Sequence, residues 1–227
     1  MALELFTDSD TQKTFYSWIV AEKQEEYSVF VPYKKRKDLK SNEIIDIGRF
    51  QDVHSENFQK QDWSFNIPLN WKKKSWCYVI NSFCRSEYFK DFMTPDEQIL
   101  VSDCVSNIEN AIRKSHVPGN RFIYRGVFDI DWLPDSAPGS EYTEHSFGSY
   151  SLDVKKALEY TNPESPILFR LILNSEMKAL YLDKAEKEVL RPKGTTYLID
   201  QIKTEEFEIR PNVFKMTTVY NIIEVKR

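Results

Sequence analysis

The order of the hydrophobic patterns predicts an α+β fold, with helices first and strands afterwards. Up to about Arg113 the convincing apolar patterns repeat at helical spacing. From Arg121 onward they come as short runs rich in β-branched and aromatic residues. Only one convincing helix, around the DVKKALEY of residues 153–160, interrupts those runs. The pattern is therefore not the regular alternation of an α/β sheet.

Taken in order, Asp8, Ser9 and Asp10 offer capping oxygens before a helix over residues 11–27, whose apolar stripe is Phe15, Trp18 and Ile19. Residues 31–43, with one proline and a basic run at Lys34, Lys35, Arg36 and Lys37, read as a loop. The stretch 44–69 carries no clear period, and Pro68 closes it. Residues 71–92 read as one amphipathic helix. Thr94-Pro95-Asp96-Glu97 is a strong helix start, with a capping hydroxyl, a proline at the first helical position and a glutamate to complete the box. Val101, Cys104, Val105, Ile108, Ala111 and Ile112 then repeat at helical spacing, and Pro118-Gly119 ends that helix. Strands are expected at 121–128, 167–173, 178–182, 188–190, 195–202, 206–210 and 216–225.

The 227 residues suffice for one large domain, or a domain with an extension, and 41 % are apolar. A net charge of −4 argues against a generally basic nucleic-acid binder. Lys72, Lys73 and Lys74, like the earlier basic run, read as solvated loop. Three cysteines without a CxxC pair argue against a disulfide framework and for a reducing cytosol. His54, His116 and His145 lack metal-ligand spacing. No apolar run has the length of a membrane span, and the acidic N-terminus lacks a signal-peptide pattern. The expectation is a soluble chain that, if delivered into another cell, leaves without a classical signal.

Three elements carry chemistry. In the first, Arg125 sits inside an apolar strand and is followed by Gly126. A buried guanidinium needs an anion, so Arg125 either pairs with a core carboxylate, turns to solvent, or serves a phosphate. Gly126 would let a ligand approach the backbone. In the second, Ser149 and Ser151 flank Tyr150 and put two hydroxyls on one face of a strand; Ser151 or Asp153 can cap the helix that follows. In the third, Glu186 and Glu188 precede Val189-Leu190 and the turn Pro192-Lys193-Gly194. On an extended chain they stand roughly 6–7 Å apart on one side. Such a pair divides labour between a sugar and a nucleophile, or is simply a solvated charge run.

The ordered triple, an arginine in a strand, Ser-x-Ser, then Glu-x-Glu-Val-Leu before Pro-x-Gly, resembles the arginine–serine–glutamate class of mono-ADP-ribosyltransferases found among phage, bacterial toxin and effector proteins. The resemblance runs from about Trp71 to Arg227. It implies helices packed on two small, mainly antiparallel sheets that form an NAD cleft. Residues 69–227 would be the catalytic domain, and residues 1–68 an N-terminal helical extension. NAD is implied as co-substrate, with no metal. The implied partner is a target protein bearing an acceptor arginine, not nucleic acid or membrane.

Residue by residue, the resemblance assigns Arg125 to bracing the dinucleotide, with Gly126 and Ser151 beside it. Ser149 orients the catalytic glutamate, Glu188, which binds the nicotinamide ribose and stabilises the positive charge developing on the sugar. Glu186 binds the incoming guanidinium and helps remove its proton, and so marks arginine specificity. Phe147 and Tyr160 are candidates to stack on nicotinamide or to pack nearby. The chain departs from the class at Tyr150, where threonine is usual, and at Ser146, where some toxins carry asparagine. It also lacks an aromatic just before Glu186. His145 would suit the histidine–tyrosine–glutamate branch, but that branch needs His-Gly where this chain has Arg125-Gly126. An NAD glycohydrolase and a non-catalytic interaction domain are the competing readings.

Overall fold

The computed structural model describes residues 30–51, 63, 75–117, 120–183 and 186–226. The chain divides into two units, Met1–Val31 and Pro32–Arg227, and the second carries every element below. The helix expected over 11–27 lies outside the described residues, as do Lys72, Lys73 and Lys74.

The basic segment opens with a 3₁₀ turn, Tyr33–Lys35. Helix α1, Ser41–Gln51, begins inside what the sequence suggested was loop. Its start is fixed by Glu43, whose carboxylate accepts from the Lys40 amide at 2.7 Å and satisfies a donor that helix geometry leaves orphaned. Lys114 pairs with Glu43 at 2.7 Å. Arg36 has a similar structural duty, donating to the Lys114 carbonyl at 3.1 Å beyond the end of the long helix.

The single helix expected over 71–92 is two helices: α2, Trp76–Arg85, and α3, Glu87–Lys90. Ser86 breaks them, taking an extended conformation in which its amide closes α2 onto Ser82 and its hydroxyl caps α3 at the Phe89 amide. Helix α4, Pro95–Arg113, starts with the expected box: Glu97 N donates to Thr94 Oγ1 at 3.3 Å, and Thr94 N donates to Glu97 Oε2 at 2.9 Å. Ile47 and Phe50 of α1, Val79 and Ile80 of α2, and Val101, Ile108 and Ile112 of α4 share one core with Phe147, Leu180, Leu182 and Leu190. The cysteines are free thiols, Cys104 buried and Cys77 and Cys84 half-buried.

The strands are β1 Arg121–Val127, β2 Glu141–Glu144, β3 Gly148–Ser151, β4 Ile167–Leu173, β5 Leu180–Tyr181, β6 Glu188–Arg191, β7 Thr195–Arg210 and β8 Val213–Glu224. A short helix α5, Val154–Leu158, follows β3 and is capped by Asp153, which accepts from the Lys155 amide. The sheet order is β2-β7-β8-β4-β1-β3-β6-β5. Neighbours are antiparallel except β4 and β8. The two sheets expected are thus two halves of one sheet, a five-stranded half ending at β1 and a three-stranded half beginning at β3. A single register pair, Tyr124 with Ser151, joins them. Arg191 of β6 ties them again from below: it is 0 % exposed and donates to Glu224 of β8 at 2.6 Å. The five-stranded half has its own aromatic core, in which Phe169 stacks on Tyr220 at 5.1 Å and Trp132, Tyr142 and Tyr197 pack alongside.

Candidate active site

Where β1 and β3 part beyond their one shared pair, a cleft opens. Its walls are Tyr124, Arg125 and Gly126 on one side and Ser149, Tyr150, Ser151 and Glu188 on the other. Lys156, Ala157 and Tyr160 line it from α5 and the turn after it, Phe50, Gln51 and Cys77 from α1 and α2, and Glu186 from the turn before β6. Three segments distant in sequence are thereby brought together by the sheet order alone.

Arg125 pairs with a carboxylate, Glu144 Oε2. Glu144 is 5 % exposed at the end of β2 and also accepts from the Ser146 hydroxyl at 2.7 Å and from Arg85 at 3.3 Å. Burial works to raise the Glu144 carboxyl, but the charge and hydrogen bond of Arg125, aided by Arg85 and Ser146, hold it below the usual carboxylate range. Burial likewise opposes the Arg125 charge, and the Glu144 carboxylate outweighs it. The guanidinium is therefore permanently charged and fixed at the cleft wall. Sequence reasoning missed Glu144, because an acid within Glu141-Tyr142-Thr143-Glu144-His145 reads as solvated.

Gly126 serves the helix as much as the cleft. A Cβ built there would lie 2.0 Å from the Ala157 carbonyl oxygen, so the absent side chain is what lets the end of α5 sit against β1.

On the opposite wall, β3 and β6 pair antiparallel, with Ser149 opposite Leu190 and Ser151 opposite Glu188. The Ser149 hydroxyl donates to Glu188 Oε1 at 2.6 Å. Burial pushes the Glu188 carboxyl up to about 7; the Ser149 hydrogen bond opposes this, and the charges of Glu186 and Asp183 add to it. Ser151 braces the turn, its hydroxyl donating to the Glu186 carbonyl at 2.7 Å and accepting from the Asp153 amide at 3.0 Å.

Between the two glutamates, Lys187 adopts a left-handed backbone, φ 52°. That conformation costs a non-glycine residue energy and persists only where the surroundings enforce it. Three contacts do so. The Lys187 carbonyl accepts from the Leu152 amide at 3.0 Å, its ammonium pairs with Asp153 at 2.8 Å, and the neighbouring Glu186 amide donates to Asp183 at 2.9 Å. The kink means that Glu186 and Glu188 do not follow the plain extended spacing read from the sequence. Glu186 instead meets Tyr160, whose hydroxyl donates to both of its carboxylate oxygens at 3.2 Å.

Phe147 lies beneath the cleft rather than in its lining. It is 1 % exposed and packs edge-on against Phe50 at 5.8 Å between ring centres. Tyr150, the unusual residue between the serines, is buried yet still contributes to the wall. His145 is exposed and outside the lining. Among the described residues no group of three or more histidine, cysteine or acidic side chains could hold a metal ion, and no helix is long and apolar enough to cross a membrane.

This architecture has known counterparts. The Vis ADP-ribosyltransferase of Vibrio splendidus, solved with agmatine, superposes with a TM-score of 0.57 at 17 % identity, over 84 % of this chain and 77 % of that one. C2-I, the enzymatic component of the Clostridium botulinum C2 toxin, gives 0.57 at 17 % identity over 83 % of this chain. BECa of a C. perfringens binary enterotoxin, solved with NADH, gives 0.54 at 18 % identity over 82 % of this chain. The matched region spans only 44 % of the C2-I and BECa chains. No curated protein matches by sequence. A family model, the ADP-ribosyltransferase exoenzyme, matches residues 77–223, well over half the chain and all three chemical elements. The chain belongs to the ADP-ribosyltransferase exoenzyme family, enzymes that transfer ADP-ribose from NAD.

Proposed function

We propose that this protein is an arginine-specific mono-ADP-ribosyltransferase that modifies a target protein and releases nicotinamide. The observation that carries the reading is the paired carboxylates at the cleft: Glu188 bonded to Ser149, and Glu186 held beside it by the left-handed turn. Glu188 faces a developing positive charge on the sugar as nicotinamide leaves, and a fixed carboxylate stabilises that transition state most. Ser149 orients it. Arg125, clamped by Glu144, offers the permanent cation that a dinucleotide phosphate needs, with Gly126 and Ser151 completing the cleft wall. Glu186 receives the acceptor guanidinium, which is fully protonated in water at a pKa above ~12 and needs a carboxylate to become a nucleophile. Agmatine, which Vis was solved with, carries such a guanidinium. Residues 69–227 form the catalytic domain in this reading and residues 1–68 an extension.

The test is transfer of labelled NAD to a cell lysate. Wild type labels protein. Glu188→Gln labels none, with turnover down on the order of 10²-fold or more, the scale of losing one transition-state charge partner. Glu186→Gln cleaves NAD without labelling protein. Labelling that survives in both variants overturns the assignment, and NAD loss with no labelled macromolecule in any sample identifies a glycohydrolase instead.

A further inference from the structure

Tyr160 is half-exposed, 47 %, on the turn that closes α5, and stands on the same side of the cleft mouth as the turn bearing Glu186. Its hydroxyl reaches both carboxylate oxygens of Glu186 at 3.2 Å. Two links hold the elements that carry these residues in register: Leu152 N to the Lys187 carbonyl at 3.0 Å, and Lys187 to Asp153, the cap of α5, at 2.8 Å. Glu188 has its own partner in Ser149, so each glutamate is held by a different hydroxyl from a different element.

We infer that Tyr160 is a specificity-determining residue of the acceptor site, its hydroxyl aiming the Glu186 carboxylate at a planar guanidinium. This rests on the reading of Glu186 as the acceptor carboxylate. A carboxylate that accepts two weak bonds from one phenol keeps its remaining lone pairs directed away from the ring edge, where a guanidinium fork fits both oxygens. A planar guanidinium fork matches both oxygens of a carboxylate held in this way, whereas a compact ammonium does not. Burial, followed by the charge of Glu186, holds the Tyr160 phenol well above its ordinary range, so it stays a donor wherever the enzyme works. Lys156, one turn earlier, lines the same wall but is paired to Glu159 at 3.2 Å, so among the described residues it is the phenol that bonds the Glu186 carboxylate.

The experiment measures NAD hydrolysis and transfer to agmatine in parallel, for wild type, Tyr160→Phe, Glu186→Gln and the double variant, with thermal melts as a folding control. Tyr160→Phe is expected to lower the ratio of transfer to hydrolysis about tenfold, the scale of a hydrogen bond to a charged group, chiefly through a higher KM for agmatine. In NAD hydrolysis, which Glu186→Gln retains, the double variant is expected to match Glu186→Gln alone, since Tyr160 acts on the acceptor side through that carboxylate. Wild-type transfer with an unchanged ratio in Tyr160→Phe overturns the inference and leaves the proposed function standing, as does a double variant whose NAD hydrolysis falls well below that of Glu186→Gln. Absence of transfer by wild type to both agmatine and lysate protein overturns both.

Discussion

At the scale of single residues, the chemistry rests on how far each carboxylate is kept from its ordinary titration. Glu188 is pushed up to about 7 by burial and by its acidic neighbours, and in the role proposed for it must lose its proton to stabilise a cationic sugar. The kcat/KM for NAD is therefore expected to climb about tenfold per unit as pH rises toward 7, then level off, because that parameter reports free-enzyme ionisations. In Glu186→Gln the midpoint moves lower, since one of the charges that raises it is gone; a profile of NAD hydrolysis between pH 5 and 9 checks both. A flat profile would mean that the carboxylate titrates elsewhere. That Glu188, Ser149 and Arg125 belong together was legible in the sequence because their types and order form a pattern, and the fold brings them to one cleft. Glu144 was not, since nothing in a charged tetrapeptide says which acid is buried. The left-handed turn at Lys187 was not legible either: lysine carries no backbone signal for φ > 0, and the strain is enforced by partners at positions 152, 153 and 183.

At the scale of elements, the one start marked by a full capping box was read well, whereas the start of α1 inside expected loop and the break at Ser86 were not. The box at Thr94 and Glu97 is local chemistry and appears where the sequence put it. Ser86 breaks an amphipathic pattern that would otherwise continue, because one serine serves as the end of α2 and the start of α3. The strand Glu141–Glu144 went unseen because its register, Tyr142 opposite Tyr197 and Glu144 opposite Thr195, is set by a partner more than fifty residues away. Gly126 shows the same dependence. Its value lies in α5, whose Ala157 carbonyl would be 2.0 Å from any Cβ at that position. Gly126→Ala must push α5 off β1, carrying Lys156 and Tyr160 with it. The expected result is a loss of roughly 1–3 kcal/mol in stability, the range for overpacking a close contact, together with a raised KM for NAD. Urea unfolding and steady-state kinetics measure the two. Full stability in Gly126→Ala would show that α5 yields at no cost.

Across the whole molecule, the fold class followed from the succession of patterns. The union of the two half-sheets did not, because Arg191 and Glu224 lie thirty-three positions apart and nothing in the sequence pairs them. Holding Glu188 in a half-buried wall has a global cost whose sign can be worked out. Its folded pKa, about 7, lies above the ordinary 4.5. Between those values the native protein binds a proton that the unfolded chain has released, so stability falls as pH rises through the window and the penalty is complete above 7. Glu188→Gln removes it. The variant is expected to melt roughly 2–4 °C higher than wild type at pH 8, the effect of about 1 kcal/mol in a domain of this size once the shift is discounted for the partial exposure of the carboxyl, and no higher at pH 4.5. Calorimetry at the two pH values decides the matter, and an equal difference at both would refute the linkage. The free thiols lead in another direction. Burial, the largest influence in each case, pushes Cys77 up to about 12, Cys84 up to about 11 and Cys104 up to about 12. Near neutral pH fewer than about one in a thousand of these sulfurs is a thiolate, the only form that attacks a disulfide or a peroxide. Folding thus keeps these three sulfurs far less reactive toward disulfides and peroxides than cysteine in an open chain, and unfolding would release that reactivity.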